Sequence, residues 1–191
     1  GTTCMTACAA GANGTLESPI NDSKGCGGIM RVAPVGLFYS TSFSNMTRHM
    51  TYADIQLQGA EIAALTHGHE LGWLPAGAFA QIVSMIVHED SPLSEAVAAA
   101  SATLPEAFPE ARMVGVLQEI MERAVLLASS GLSDLDAIHE LGEGWVAEET
   151  LAIGLLCALR YQGDFAGAIA AASNHNGDSD STAAGAGTII G

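Results

Sequence analysis

Apolar residues recur at helical spacing along almost the whole chain, and no stretch of strand length alternates with period two. A chain patterned in this way buries its apolar faces by packing helix on helix, so it reads as all-α. The clearest case runs from Glu110 to Ala128. There Met113, Val114, Leu117, Ile120, Met121, Ala124, Leu127 and Ala128 form one stripe, while Arg112, Glu119, Glu122 and Arg123 lie largely off it. Gly131 is the expected C-terminal stop. Ser91-Pro92 predicts an N-cap followed by proline at the first helical position. Ser133 with Asp136 approximates a capping box, and Gly142 ends that short helix. Further helices are expected near 51–66, 75–88, 92–103, 146–161, 164–173 and 180–190, joined by loops rich in Gly, Pro or Asp. The helix from Val146 is apolar on nearly every side beyond its first turn, as a central helix must be. Glu148 and Glu149 crowd its N-terminus, where acids complement the helix dipole; a role in a site is equally open.

With 191 residues, 49% of them apolar and 14% charged, the chain can bury a sizeable core, and 1–191 is expected to be one helical domain. Six Lys+Arg against 21 Asp+Glu give a formal net charge of −15, which repels nucleic acid and anionic membrane surfaces. The apolar run Leu151 to Leu159 is about half of the ~20 residues a spanning helix needs. No charged-then-apolar signal stretch opens the chain. Cys4, Cys8, Cys26 and Cys157 are too scattered for a disulfide framework, so a reducing cytoplasm is the expected compartment. Gly1 is not an initiator methionine and the sequence stops inside the apolar stretch Thr188 to Gly191, so truncation is expected at both ends.

Four segments carry chemistry. Gly177-Asp178-Ser179-Asp180-Ser181-Thr182 lies on a loop entering the last helix, where Asp178, Asp180 and the Ser181 hydroxyl can bracket an ion from different directions. Such oxygen donors suit Mg²⁺, Mn²⁺ or Ca²⁺ better than Zn²⁺. Spacing alone does not separate this from simple helix capping. An EF-hand fails, because Ala183 and Ile189 stand where its Gly and bidentate Glu belong. Asn21 to Arg31 is a glycine-rich loop leading into an apolar helix, able to bind phosphate through backbone N–H groups but also readable as a tight turn. It is neither a P-loop nor a dinucleotide fingerprint. Thr66-His67-Gly68-His69 follows a helix; histidines stabilised at the helix C-terminus are the commoner reading, metal ligation the rarer. Gly142-Glu143-Gly144-Trp145 places an aromatic ring after a flexible turn, more often a core residue than a stacking surface.

Taken in order, Lys24 to Pro34, Thr66-His67, Gly142 to Glu149 and Gly177 to Thr182 resemble the ADP-ribosylglycohydrolases, over nearly the whole chain. The resemblance implies an orthogonal all-α bundle with two Mg²⁺ or Mn²⁺ ions in a central cleft. The reaction it implies is hydrolysis of the bond between ADP-ribose and an acceptor, such as arginine on an ADP-ribosylated protein, or a small molecule. Asp178, Asp180 and Ser181 would then be metal ligands. Gly25, Gly27 and Gly28, with Lys24 beside them, would wrap the diphosphate or ribose. His67 would contact ADP-ribose, Trp145 would pack on its base or ribose, and Asp22 is the candidate proton acceptor.

Two departures qualify this. Cys26 stands where the familiar loop has Asn. The remaining metal ligands of the family come from an N-terminal Ser/Thr-Asp-Asp motif that this sequence does not contain, and Asp134-Leu135-Asp136 lies in a capping context in the wrong order. The isolated chain is therefore expected to bind metal weakly and turn over little. The alternatives are a non-catalytic ADP-ribose or nucleotide-binding module on the same fold, or a hydrolase of a small ribosylated metabolite.

Overall fold

The computed structural model describes residues 1–41 and 50–191. Among these the all-α expectation holds: α1 (Thr2–Ala9), α2 (Ala33–Phe38), α3 (Tyr52–Ala64), α4 (Glu70–Glu89), α5 (Leu93–Ala107), α6 (Val114–Ala128), α7 (Asp134–His139), α8 (Ala147–Arg160), α9 (Phe165–Ser173) and α10 (Ser179–Ile190), with a 3-10 turn at Ile29–Arg31 ahead of α2. The extended pairing among the described residues is a single antiparallel bridge, Gly25 to Val146.

Local chemistry sets most boundaries and corrects several expected ones. Thr51 and Asp54 form a reciprocal capping box at the start of α3. Helix α4 begins at Glu70, five residues before the expected start near 75. The His69 ring accepts the Leu71 N–H at 3.0 Å as an N-cap, and Pro75, in the second turn, removes only one ladder bond. The stripe expected from Glu110 becomes helical only at Val114, because the Glu70 carboxylate captures the N–H groups of Arg112 (2.7 Å) and Met113 (2.8 Å) in a preceding turn. Pro92, not Ser91, is the N-cap of α5, since Asp90 in left-handed conformation has just ended α4. Ser133 caps α7 as expected. Gly142 leaves that helix at φ +126°, whereas Ser129 rather than Gly131 caps α6.

Helix α4 is the hub. Its residues Leu71 to Met85 are buried without a break, packed by α2, α3, α5 and α8. It is long and apolar enough to cross a membrane by length and composition, unlike the run first singled out at Leu151, but 83% of its most apolar window is covered by the fold. Helix α8 forms a second buried axis among α4, α6, α9 and α10, as its all-round apolar character predicts. Small residues set the spacing between helices. A Cβ on Gly59 would lie 2.8 Å from the Ala76 carbonyl, and one on Gly36 would lie 2.4 Å from that of Ala80. Within this apolar interior Gln56 donates to Gln81 Oε1 (2.7 Å) and to the Ala100 carbonyl (2.8 Å), joining α3, α4 and α5.

The far end of α8 is tied by Arg160, which reaches Asp134 Oδ1 and the Leu127 carbonyl, each at 2.7 Å, while the Tyr161 hydroxyl donates to Asp134 Oδ2 at 2.6 Å. Burial pushes the Asp134 carboxyl up, but the Tyr161 and Arg160 bonds outweigh it and hold it below the usual range.

Two stability predictions follow from this packing. Gly59→Ala overpacks the α3–α4 contact and lowers unfolding free energy by about 1–3 kcal/mol. Gly115→Ala, in a helix turn with nothing within 4 Å of the added carbon, raises it by about 0.5 kcal/mol; urea unfolding of the pair reads the difference. Because Asp134 binds its proton less readily folded than unfolded, its stabilisation is present above the ordinary aspartate value of about 3.9 and fades as pH falls through the lower native value. Asp134→Asn should therefore lose about 1–2 kcal/mol at pH 7 relative to the parent, a gap that thermal melts should show closing toward pH 3.

Candidate active site

Three loops, from distant parts of the chain, meet at the N-terminal ends of α8 and α10. The first is the glycine-rich loop. Asn21 anchors it by donating to the Thr66 carbonyl (2.8 Å) and accepting the N–H groups of Ser23 and Gly68 (3.0 Å each). Arg31 anchors its other end. The guanidinium donates to the carbonyls of Ile62 (2.8 Å) and Ala63 (3.2 Å) at the end of α3, to Thr66 Oγ1 (2.6 Å) and to the Gly27 carbonyl (3.3 Å). A Cβ on Gly27 would press on Cys4 Sγ at 2.7 Å, and one on Gly28 would meet Ala63 Cβ and the Gly72 carbonyl at 3.1 Å. Close packing on α1, the end of α3 and Gly72 thus leaves little room for a side chain at either position.

The second loop, 142–146, turns through Gly142 and Gly144, both at positive φ. The Glu149 carboxylate fills it, accepting the N–H groups of Glu143 (3.1 Å) and Gly144 (3.0 Å). Glu149 therefore pins the loop that enters α8. The bridge to the first loop consists of Cys26 N–H to Trp145 O (3.3 Å) and Ala147 N–H to Lys24 O (2.9 Å). Beside it the Lys24 ammonium pairs with Glu148. The third loop, before α10, docks through Asp178 N–H to Glu143 O at 2.7 Å. His175 stiffens it, accepting Gly177 N–H (3.1 Å) and lying 2.8 Å from Thr182 Oγ1.

These loops enclose a cleft of about 520 Å³ whose walls include Gly25, Cys26, Gly27, Met30, His67, Trp145, Asp178, Asp180, Ser181 and residues of α1. Asp178 Oδ2 accepts the Cys26 thiol (2.8 Å) and the Ser181 hydroxyl (3.0 Å). Burial raises the Asp178 carboxyl, but bonds from Cys26, Asp180 and Ser181 prevail and hold it low. Its hydrogen bond and its charge push the exposed Asp180 carboxyl up. Burial, reinforced by Asp178, raises the Cys26 thiol to about 11, so at neutral pH it is a donor and not a nucleophile. His67 is 1% exposed, and burial together with the Arg31 charge lowers it to about 4, so the ring is neutral.

Of the residues expected from sequence, the fold brings Gly25, Gly27, His67, Trp145, Asp178, Asp180 and Ser181 to one cleft. It does not bring the others. Lys24 turns to Glu148, Gly28 is buried against Ala63 and Gly72, and the expected proton acceptor Asp22 is exposed and off the cleft wall. Trp145 is not a core residue. It is 56% exposed, its indole N–H donating to Glu143 at 3.0 Å. His67 is no dipole-stabilised cation but a buried neutral ring, and His69 is the α4 cap. Cys26 and Met30 join the wall without having been expected there; Met30, one residue before Arg31 in the loop's exit, lies with its sulfur 3.1 Å from Ser181 Oγ, whose hydrogen goes to Asp178. Asn21 and Arg31 carried no signal of their clamping roles beyond the rarity of basic residues.

The donor set offers two carboxylates and a hydroxyl. Among the described residues no group of three or more His, Cys, Asp or Glu side chains is arranged to hold an ion. Such a set fits a hard divalent ion that keeps much of its shell from solvent or substrate, as Mg²⁺ prefers.

The family model described as ADP-ribosylglycohydrolase matches residues 1–191. No curated protein and no solved structure matches the chain significantly. The match spans every segment that builds the cleft, and with the all-helical fold it settles the kinship: the chain belongs to the ADP-ribosylglycohydrolase family.

Proposed function

We propose that this cleft binds the ADP-ribose unit and that the protein hydrolyses its glycosidic bond to an acceptor, such as arginine on a modified protein, with Mg²⁺ or Mn²⁺ held by Asp178, Asp180 and Ser181. The observation that carries the reading is the convergence of that oxygen cluster with Gly25, Gly27 and His67 on one cleft. The bound ions would orient ribose hydroxyls, offset charge at the reacting carbon and ready a water for attack.

The chain's own residues supply the rest. Asp178 and Asp180 are close enough to perturb each other's protons, a repulsion that a cation between or beside them relieves. Lys24 and Arg31 are committed to Glu148 and to backbone carbonyls, so neither is free to neutralise a diphosphate. Two loop N–H groups are likewise engaged, Gly25 with Ser23 Oγ and Cys26 with Trp145 O, leaving Gly27 as the loop glycine best able to meet a phosphate. Both facts favour divalent cations as the diphosphate's counter-charge. The exposed Trp145 indole offers a flat apolar face to a base or ribose, held at its N–H edge by Glu143.

The modest donor count favours a second reading, a non-catalytic ADP-ribose-binding module. Calorimetry with ADP-ribose separates the two. The hydrolase reading expects binding that strengthens at least tenfold with Mg²⁺ or Mn²⁺ and loses that gain in Asp178→Asn, together with slow, metal-dependent release of ADP-ribose from ADP-ribosyl-arginine, slow because this sequence contains no Ser/Thr-Asp-Asp motif. Affinity indifferent to chelator and to Asp178→Asn would overturn it in favour of the binding module. Release from a small ribosylated metabolite in place of the arginine adduct would reassign the acceptor.

A further inference from the structure

One side chain on the cleft wall has its hydrogen-bonding role set from behind. Thr66 Oγ1 lies 2.6 Å from an Arg31 nitrogen, 2.8 Å from His67 Nδ1 and 3.5 Å from the Ala63 carbonyl. Arginine only donates, so toward Arg31 the hydroxyl is an acceptor and its single hydrogen must go elsewhere. The Ala63 carbonyl is already saturated: it accepts Arg31 at 3.2 Å and the N–H groups of Thr66 (3.2 Å) and His67 (3.1 Å). The hydrogen therefore goes to His67 Nδ1, which carries no proton, and the neutral ring bears its proton on Nε2. That nitrogen lies 3.5 Å from where a Cβ on Gly25 or on Gly27 would sit, ordinary contact distance, so a side chain at either position would cover it, and the two glycines leave it open toward the cleft that all three residues line.

We propose that Thr66, with Arg31 behind it, is a positioning residue that fixes His67 in the Nε2–H tautomer, so that the ring presents one uncharged donor to an oxygen of the bound ligand between Gly25 and Gly27. The ligand in question is the ADP-ribose of the preceding reading, on which this inference rests. The arrangement gives discrimination by hydrogen-bond direction: an oxygen acceptor is met, whereas a donor or a cation at the same point faces the N–H. It also gives the Arg31-Thr66-His67 chain a purpose beyond closing the end of α3.

The test uses the 191-residue chain labelled with ¹⁵N. Long-range proton–nitrogen spectra of the imidazoles report the tautomer directly, the His67 signals being assigned by their loss in His67→Gln. The parent chain is expected to show the Nε2–H form. Thr66→Val, which keeps the shape and removes the hydroxyl, should mix the tautomers and weaken ADP-ribose binding in Mg²⁺ about tenfold, the scale of one lost hydrogen bond; Thr66→Ser should restore both. An Nδ1–H ring in the parent chain overturns the proposal, and needs no variant to fold. So does a Thr66→Val protein whose tautomer and affinity match the parent. An Nε2–H ring in a chain that binds no ADP-ribose with or without Mg²⁺ upholds the lock while refuting the assignment of the cleft.

Discussion

A helical bundle has no sheet edge on which to mount catalytic groups, and this one depends on a short set of backbone hydrogen bonds instead. The 142–147 segment lies between two neighbours and bonds to both. Its Glu143 carbonyl takes Asp178 N–H, its Trp145 carbonyl takes Cys26 N–H, and its Ala147 N–H reaches the Lys24 carbonyl. A Cβ on Gly177 would sit 1.8 Å from the Glu143 carbonyl, so the contact is possible only because that position carries no side chain. Glu149, in the first turn of α8, holds the segment in its positive-φ path by accepting two backbone N–H groups. Remove that segment and the acidic turn of α10 has no fixed relation to the glycine loop.

The charge distribution follows the same economy. Against a net charge of −15, several basic side chains are spent on structure: Arg31 on the end of α3, Arg160 on the ends of α6 and α7, Lys24 on Glu148. The cleft wall is left with two aspartates, a protonated thiol, a neutral imidazole, the uncharged side chains of Met30 and Trp145, and small residues. A wall of this composition suits an anionic ligand only when cations accompany it, which is the physical core of the functional reading.

The buried rows of α4 and α8 show a complementary use of small residues. Glycine and alanine let the helices approach until backbone meets backbone, and the larger side chains Leu74, Ile82, Leu151, Ile153 and Leu156 fill the remaining volume with almost no exposure. The loops that form the cleft all spring from the ends of these two helices or of helices packed on them, so the rigidity of the site is inherited from the core.

Periodicity, caps and turn residues settled the helical class, most helix positions and the acidic turn ahead of the last helix, because those signals act within a few residues along the chain. The resemblance to the family, rather than those local signals, gave the glycine loop, His67 and Trp145 their expected place in the site. Boundaries failed where a distant side chain intervened, as when Glu70 captured the turn before α6 and delayed its start. The site's chemistry required the folded chain. Cys26 meets Asp178 across 152 residues, Lys24 meets Glu148 across 124, and Arg31 reaches Thr66 across 35. No local pattern encodes such pairings, since a residue's spacing fixes the face it occupies and only the packing of whole helices decides what that face will touch.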